Sequence, residues 1–389
     1  MSETPVARPT DSVPLARPLL GGREEELVLE VLRSGQLSLG PRLGEFERAF
    51  ADRLGVDRCS AVSSGTAGLH LALRAAGVER GDEVITSPFS FVASANCSIY
   101  EGARPVFCDI DPRTFNIDPA AAEAAQSERT VGLLPVHVFG YPADMPALER
   151  LAEARGLWIV EDACEALGGR HADGAPIGAR GNHAVFAFYA NKQMTTAEGG
   201  MVVCPIEAHE ERIDSERNQG RAPDMGWLDH DRLGFNYRLS DVACALGIAQ
   251  LERLDELLAA RSAVAALYAE ALVGIEGLEL PCPDAGGDER GWFVYVVQVP
   301  RGVDRDRVVE GLRERGIDSK PYLPAIHLMT FYRERFGHRE GEFPVCEDVA
   351  ARSLALPFFP GLSEGQVARV AEGLSDAIAA ARPTAKLQQ

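Results

Sequence analysis

The chain lacks the features of a membrane, secreted or zinc-binding protein. None of its apolar runs approaches the roughly 20 residues that a membrane-spanning helix requires. Its N-terminus has no basic start followed by an apolar block, so it does not resemble a secretory signal. Its eight cysteines are scattered singly, without a CxxC pair, which is typical of reduced thiols in a core. We therefore expect a cytoplasmic protein without a metal site.

Basic residues are few compared with acidic ones. The 389 residues contain 39 Lys+Arg and 58 Asp+Glu, which gives a net charge of -19. Such a surface repels nucleic acid and anionic membranes, so we exclude both as main partners. A local arginine cluster could still hold a phosphate. The composition, 46% hydrophobic and 25% charged, is otherwise typical of a globular enzyme-sized protein.

Lysine is the scarcest charged residue. The chain has only three lysines, Lys192, Lys320 and Lys386, so nearly all of its cations are arginines. A lysine retained in such a chain suggests a need for an amine that can lose a proton and form an imine. Lys192 is the candidate, because it lies between two apolar strand patterns. The alternative interpretation is a solvated lysine in a surface turn.

Short apolar runs alternate with helical patterns from about residue 59 to residue 203. This alternation predicts an α/β fold with a large, doubly wound, mostly parallel sheet. After Arg238 the pattern changes to a long Ala/Leu-rich helical stretch over 239–272. A strand and further helices follow, which predict a smaller C-terminal α+β domain. The predicted divisions are a flexible leader (1–18), a large domain (19–255), a small domain (256–381) and a disordered tail (382–389).

Ligands of open α/β sheets bind beyond the carboxyl ends of the strands. The segments that follow the predicted strands are 63–66, 88–91, 137–141, 161–165 and 191–192. Together they offer a phosphate-binding helix start, aromatic rings, a carboxylate and an amine. Their occurrence in one chain therefore predicts a single site for a flat, phosphorylated heterocycle.

Each of these signals also has a structural explanation. Ser64 and Gly65 open a helix whose free N–H groups attract phosphate, although an ordinary serine cap has the same pattern. Asp162 ends a buried strand and needs a cationic partner, either a protonated pyridine nitrogen or an arginine. The ring of Phe91 could stack on a flat ligand or belong to the core.

The motifs of the chain resemble those of a known enzyme family. They are SSGTAGLHLAL (63–73), SPFSFVASAN (87–96), GARPVFCDID (102–111), EDACEALGG (161–169), FAFYANKQMTTAEGG (186–200), RNQGR (217–221), GFNYRLSDVACALGIAQL (234–251) and PAIHLMTFY (324–332). Over residues 19–381 the sequence resembles the DegT/DnrJ-type sugar aminotransferases, most of all the branch with GDP-perosamine synthase and related 4-amino-sugar synthases. The resemblance implies the fold type I aminotransferase scaffold and the cofactor pyridoxal phosphate (PLP).

The resemblance also implies a role for individual residues. Lys192 matches the Schiff-base lysine, Asp162 the partner of the pyridine nitrogen and Phe91 the stacking ring. The residues it places around the cofactor are Ser64, Gly65, Thr66, Ala67, Phe91, Asp162, Glu165, Lys192 and Asn236. Those it places near the substrate are Tyr189, Arg238 and His327. Asn236 and Arg238 match residues that reach the neighbouring subunit's site, which implies a homodimer with shared active sites.

Several positions depart from the family pattern. Ala187 replaces a phosphate-binding serine, so that contact should be missing or replaced. Ala190 and Ala197 stand where this branch often has proline and glycine, so we expect an altered backbone around Lys192. Glu165 stands where the family usually has Gln or His, and an ionised carboxylate beside the cofactor's phenolic oxygen would be repulsive. We expect Glu165 to be protonated or to face the substrate amine.

The implied reaction moves an amino group from L-glutamate to a keto group, at carbon 4, of a nucleotide-linked deoxysugar. Three alternatives remain open. The first is an aminotransferase for a cyclitol or another ketone. The second is a PLP-dependent sugar dehydratase, whose members have His in place of the lysine. The third is a non-catalytic PLP-binding regulator.

Overall fold

The computed structural model describes residues 12–222 and 229–382 of the chain. Its α-helices are α1 (Gly22–Ser34), α2 (Pro41–Leu54), α3 (Gly65–Ala75), α4 (Ala93–Tyr100), α5 (Pro119–Ala124), α6 (Met145–Arg155), α7 (Glu207–Arg217), α8 (Asp241–Glu252), α9 (Leu254–Leu272), α10 (Arg305–Glu314), α11 (Thr330–Phe336), α12 (Pro344–Arg352) and α13 (Glu364–Ala381). Its strands are β1 (Cys59–Val62), β2 (Glu83–Thr86), β3 (Arg104–Phe107), β4 (Thr130–Leu134), β5 (Trp158–Asp162), β6 (His183–Ala187), β7 (Gly200–Val203), β8 (Tyr295–Gln298), β9 (Lys320–Pro321) and β10 (Ser353–Leu356).

Seven strands form the large sheet, in the order β1-β7-β6-β5-β4-β2-β3. Strand β7 runs antiparallel to both of its neighbours, whereas the pairs from β6 to β3 are parallel. The central strands are apolar on both faces because helices cover both sides. The prediction of a large, mostly parallel α/β sheet is confirmed.

Three strands form a second, antiparallel sheet in the order β8-β10-β9. Its core contains Val297 and Leu354 from the strands and Leu312 and Leu374 from helices α10 and α13. This is the predicted smaller α+β unit. The single helical stretch expected over 239–272 is wrong, because α8 ends at Glu252 and α9 begins at Leu254. The domain boundary that we placed at 255 lies one residue inside α9 and stays a prediction.

The predicted leader is partly ordered by the smaller unit. Val13 is buried, and it forms backbone hydrogen bonds with Gly316 and Asp318. At Val13 the expectation of a flexible leader is therefore wrong, since strand-like pairing with segment 316–318 fixes the backbone there. Residues 1–11, 223–228 and 383–389, the last including Lys386, lie outside the described residues.

No helix within residues 12–222 and 229–382 is both long and apolar enough to cross a lipid bilayer.

Helix α3 lies against the large sheet through a residue without a side chain. A Cβ added at Gly68 would lie 2.7 Å from a Val185 methyl group and 3.2 and 3.3 Å from methyl groups of Val202 and Val62. These three valines belong to β6, β7 and β1, so α3 approaches three strands at once. This close approach sets where the N-terminus of α3 lies relative to the carboxyl edge of the sheet.

We expect Gly68→Ala to reduce the free energy of unfolding by about 1–3 kcal/mol, because the added methyl group overpacks the interface between the helix and the sheet. The matched control is Gly44→Ala in α2, where the new methyl group would meet only the flexible end of Arg48. Alanine's higher helix propensity should make that control neutral or more stable by up to about 1 kcal/mol. Urea unfolding measures both, and equal effects would contradict the close approach.

Candidate active site

A cavity of about 620 Å³ opens at the carboxyl edge of the large sheet. Its walls come from the segments that follow β1, β2, β5 and β6, together with segment 320–324 and Met329 of the C-terminal part. Segments after neighbouring parallel strands meet at one edge of a sheet, so the chain order places their side chains around one space. The predicted residues that line it are Ser64, Gly65, Thr66, Phe91, Asp162, Glu165, Tyr189 and Lys192.

One wall of the cavity is the N-terminus of α3. Ser64 caps this helix, because its hydroxyl oxygen accepts a hydrogen bond of 3.1 Å from the Ala67 N–H. The first N–H groups of a helix have no intrahelical acceptor, and those of Gly65 and Thr66 lie at the cavity wall. With the positive end of the helix dipole, they form a site for an anion.

Another part of the cavity wall holds a buried carboxylate, that of Asp162. Asp162 is the last residue of β5, and its Oδ2 accepts a hydrogen bond of 2.7 Å from the Ser94 hydroxyl. Its Oδ1 accepts one of 3.1 Å from the Cys164 N–H. Both donors are neutral, and no cation of residues 12–222 and 229–382 forms an ion pair with Asp162. A desolvated carboxylate that faces a cavity in this way favours a cationic ligand atom.

Lys192 brings its amine into the same space. The residue follows β6, and β6 pairs in parallel with β5, so Lys192 and Asp162 leave the sheet on neighbouring strands. The Lys192 side chain is 12% exposed. Its Nζ lies 3.6 Å from Glu165 Oε1 and 3.9 Å from the centre of the Phe293 ring. The amine is therefore held at the cavity wall and does not point into open water.

Glu165 is buried beside this amine. Its Oε2 accepts a hydrogen bond of 3.1 Å from the Phe139 N–H. Burial raises the pKa of the Glu165 carboxyl, and the Lys192 charge only partly opposes this effect. Burial also raises the pKa of the nearby Tyr322 hydroxyl well above its ordinary value, and the Glu165 charge adds to that rise. The protonated form of Glu165 is thus more favoured in the protein than it would be in water.

Of the alanines that depart from the family pattern, Ala187 lines the cavity. Ala197 has φ +67°, the left-handed conformation that favours glycine. The altered backbone expected around Lys192 stays a prediction. Ala187 lies at the start of the lysine segment, and a Cβ added at Gly65 would come within 2.8 Å of its methyl group. The methyl group of Ala187 therefore occupies the wall next to the anion site.

Phe91 and Tyr189 are exposed at the mouth of the cavity, where an entering ligand would contact them. Ala67 does not line the cavity, and its N–H donates to the Ser64 hydroxyl within the helix cap. Its expected place in the phosphate-binding turn stays a prediction.

His327 is the clearest departure from the expected site. It is fully buried, and its Nε2 lies 3.0 Å from the Glu347 carboxylate. Its ring packs edge-on against Phe343, and it does not line the cavity. The expected contact between His327 and a substrate is therefore corrected, since this side chain joins the short 3-10 turn Ile326–Leu328 to α12.

Asn236 and Arg238 do not line this cavity either. They lie on a segment beside the end of β1, where Arg238 pairs with Val62 and Asn236 pairs with Asn218. The Arg238 guanidinium donates a hydrogen bond of 3.1 Å to the Asn218 side chain. Asn236 is exposed and Arg238 is half-buried, so both side chains reach the outer surface of the protein.

Sequence reasoning missed four residues of the site. Ser94 holds Asp162, Phe293 underlies the Lys192 amine, and Tyr322 and Lys320 line the cavity from the smaller unit. The scarcity of lysine in the sequence was a signal for Lys320, because two of the three lysines line one cavity. The other three carried no local signal, since only the fold brings them to the sheet edge.

The residues present fit PLP. An anion site at α3, a buried carboxylate without a cationic partner and a confined amine lie around one cavity, and they match the phosphate, the ring nitrogen and the aldehyde of that molecule. The buried Asn191 Oδ1 is a further polar atom at this cavity without a hydrogen-bond partner in the described part of the chain.

Comparison with known proteins agrees with this fit. The model of the DegT/DnrJ/EryC1/StrS aminotransferase family matches residues 18–375. The chain is 36% identical over 379 residues to the spore coat polysaccharide biosynthesis protein SpsC of Bacillus subtilis, covering 94% of this chain and 97% of the relative. It is 37% identical over 370 residues to GDP-perosamine synthase of Caulobacter vibrioides, covering 94% and 98%.

Among solved structures, the aminotransferase TlmJ from Streptoalloteichus hindustanus superimposes with a TM-score of 0.88 at 33% identity, covering 95% of this chain and 99% of that one. The family match and the structural likeness extend over nearly the whole chain. The chain therefore belongs to the DegT/DnrJ/EryC1/StrS aminotransferase family and is a PLP-dependent aminotransferase.

Proposed function

We propose that this enzyme transfers an amino group from L-glutamate to the keto group of a nucleotide-linked 4-keto-6-deoxysugar. The observation that carries the proposal is the convergence of Lys192, Asp162 and the N-terminus of α3 on one cavity. The sugar substrate is supported by the similarity to GDP-perosamine synthase and to the spore coat polysaccharide protein. The resulting amino sugar would serve the biosynthesis of a polysaccharide or an antibiotic.

When bound, PLP supplies an aldehyde that links to an amine and a protonated ring that withdraws electrons from the reacting carbon. Asp162 would keep the ring nitrogen protonated, because its carboxylate is desolvated and held by Ser94. The N–H groups of Gly65 and Thr66 would bind the phosphate. The Lys192 Nζ would hold the aldehyde and move a proton at the donor's α-carbon. Phe91 would contact the ring at the mouth of the cavity.

Glu165 would lie near the phenolic oxygen of the ring, as its position beside Lys192 suggests. Its raised pKa supports a protonated carboxyl group, which donates a hydrogen bond to that oxygen where an ionised one would repel it. Glu165 would then do the work of the Gln or His that other family members have at this position.

Asn236 and Arg238 would act across a dimer interface. Both reach the outer surface beside β1, and neither lines the cavity of its own chain. In a twofold dimer the same surface of each subunit meets its partner, so each subunit can complete the other's site. We propose that Arg238 contacts the neighbour's substrate and Asn236 the neighbour's cofactor phosphate.

Two other reactions are possible on the same scaffold, and a substrate panel separates them. An aminotransferase for a cyclitol ketone would transfer nitrogen to that ketone and not to nucleotide-linked sugars. A dehydratase would release water without incorporating an amine, which Lys192 argues against because those relatives have His there. A protein that binds PLP and transfers no nitrogen to any acceptor would be a regulator.

We expect Lys192→Ala to reduce nitrogen transfer from L-glutamate by at least about 10²- to 10⁴-fold, the range of a lost general acid–base group. The visible absorbance of the imine between the protein and the cofactor should also disappear. The change in this absorbance on adding glutamate should be lost as well. Lys320→Ala is the matched control, since it removes the other lysine of the same cavity and should keep the absorbance band. A Lys192→Ala enzyme with full turnover would overturn the proposed role of Lys192.

We expect Glu165→Gln to gain stability relative to the native chain as the pH rises above 4.5, the ordinary pKa of a glutamate. The raised pKa means that the unfolded chain loses this proton first, so the native protein loses stability until its own pKa is passed. The Gln variant has no such proton. Urea unfolding of cofactor-free protein between about pH 4 and pH 8 measures the difference. Glu198→Gln is the control, because Glu198 is exposed at the same cavity. If the free energies of unfolding of Glu165→Gln and of the native chain changed with pH in parallel, the raised pKa of Glu165 would be contradicted.

We expect mixed dimers of Lys192→Ala and Arg238→Ala subunits to regain about one quarter of the native activity. Random pairing makes half of the dimers mixed, and one of the two sites in each is then complete. The control mixture, Lys192→Ala with Asp162→Asn, should regain nothing, because both residues line the cavity of one chain. Equal results for the two mixtures would show that the sites are not shared.

A further inference from the structure

A buried arginine without a carboxylate partner lies behind the reactive lysine. Arg261, in α9, is 3% exposed. Its Nη1 donates a hydrogen bond of 3.0 Å to the Phe293 carbonyl oxygen, and its Nη2 donates bonds of 2.6 and 3.3 Å to the carbonyl oxygens of Lys192 and Asn191. One guanidinium therefore holds the main chains of two segments that are about 100 residues apart in sequence.

Burying this cation is unfavourable. Burial lowers the pKa of the Arg261 guanidinium to about 10. Its contacts are backbone carbonyl groups and the ring of Phe358, whose centre lies 5.8 Å away, and no carboxylate of residues 12–222 and 229–382 pairs with it. A leucine or methionine would fill such a place at lower cost in desolvation. The forked geometry of the guanidinium is what only arginine supplies here.

The two segments that Arg261 joins also meet through their side chains. The Lys192 Nζ lies 3.9 Å from the centre of the Phe293 ring, in a cation–π contact. Because the same guanidinium fixes the carbonyl groups of both residues, it fixes the distance between the two main chains from which the amine and the ring extend. The amine is thereby held near Glu165, at 3.6 Å.

The next residue, Gln193, also bonds the lysine loop to the segment that contains Phe293. Its Nε2 donates hydrogen bonds of 2.6 Å to the Glu165 carbonyl oxygen and of 3.0 Å to the Gly291 carbonyl oxygen. Segment 291–293 is therefore bonded to the lysine loop at both of its ends. This arrangement leaves Lys192 little freedom except at its side chain.

We propose that Arg261 is a positioning residue for the reaction: it sets the Lys192 amine over the Phe293 ring by holding both main chains. The proposal rests on the proposed function only in that it takes Lys192 as the reacting amine. A misplacement of a reacting group by about 1 Å costs up to about 100-fold in rate, so such a residue acts on turnover without touching the substrate.

The scarcity of lysine gives a direct measurement that does not depend on activity. The full-length chain, labelled with ¹³C at the lysine ε-carbons and freed of cofactor, has only three lysine signals to observe by NMR. The Lys192 signal is identified by its loss in Lys192→Arg, made in the native chain and again in each variant, since a substitution to lysine adds a fourth signal. In the native chain we expect this signal upfield of the Lys320 signal, because the Lys192 Nζ lies 3.9 Å from the centre of the Phe293 ring, whereas the Lys320 Nζ lies 5.3 Å from the centre of the Tyr322 ring.

We expect Arg261→Lys to move the Lys192 signal downfield, toward the position it takes in Phe293→Leu, which removes only the ring. The matched control is Arg352→Lys: Arg352 is also buried, in the smaller unit, but bonds the carboxylates of Glu279 and Asp348. That variant should leave the Lys192 signal unmoved, even if it lowers the melting temperature. In the loaded enzyme, Arg261→Lys should lower kcat by up to about 100-fold and change KM little.

An unmoved Lys192 signal in folded Arg261→Lys would overturn the proposal, as would an equal movement in Arg352→Lys. If Arg261→Lys does not fold, Arg261→Gln is measured in the same way, because its amide keeps one N–H donor group without the charge. If neither variant folds, Arg261 serves the fold alone and the proposal fails. If the signal moves as expected but the native enzyme transfers no nitrogen, the proposed function fails and the positioning of Lys192 stands.

Discussion

The Asp162 carboxylate is the constraint on which the site depends. It lies at the end of a buried strand, with the hydroxyl of Ser94 and one backbone N–H as its donors. A carboxylate that is desolvated and bonded only to neutral groups is stabilised when a cation occupies the adjacent cavity. In the proposed function this buried negative charge would face a protonated ring nitrogen, and within residues 12–222 and 229–382 no arginine pairs with it.

The lysine side of the cavity is arranged by different means. Lys192 leaves the sheet on the strand next to Asp162, and its amine contacts Glu165 and the Phe293 ring. The smaller unit supplies Phe293, and Arg261 bonds that segment to the lysine loop. The Lys192 amine and its main chain therefore have contacts from both parts of the chain.

Glu165 departs from the family pattern, and the proposed function gives it the same role as the residues it replaces. A glutamine or histidine at this place offers a hydrogen-bond donor at neutral pH. A glutamate offers one only when it is protonated, and burial raises its pKa in that direction. Ala187 has no such compensation, since a methyl group beside Gly65 gives no hydrogen bond, and the anion site relies on the helix N-terminus.

The sequence alone determined the α/β fold, the places of Asp162 and Lys192 after neighbouring strands, and the helix start at Gly65. These depend on local periodicity and on the rule that parallel strands present their carboxyl ends at one edge. Tertiary structure decided the rest. Burial and a partner in α12 took His327 away from the cavity, a helix cap used the N–H of Ala67, and pairing with 316–318 ordered the segment around Val13. Ser94, Phe293 and Arg261 act on residues far away in sequence, and no local pattern reveals which distant main chain a hydroxyl, a ring or a guanidinium will meet.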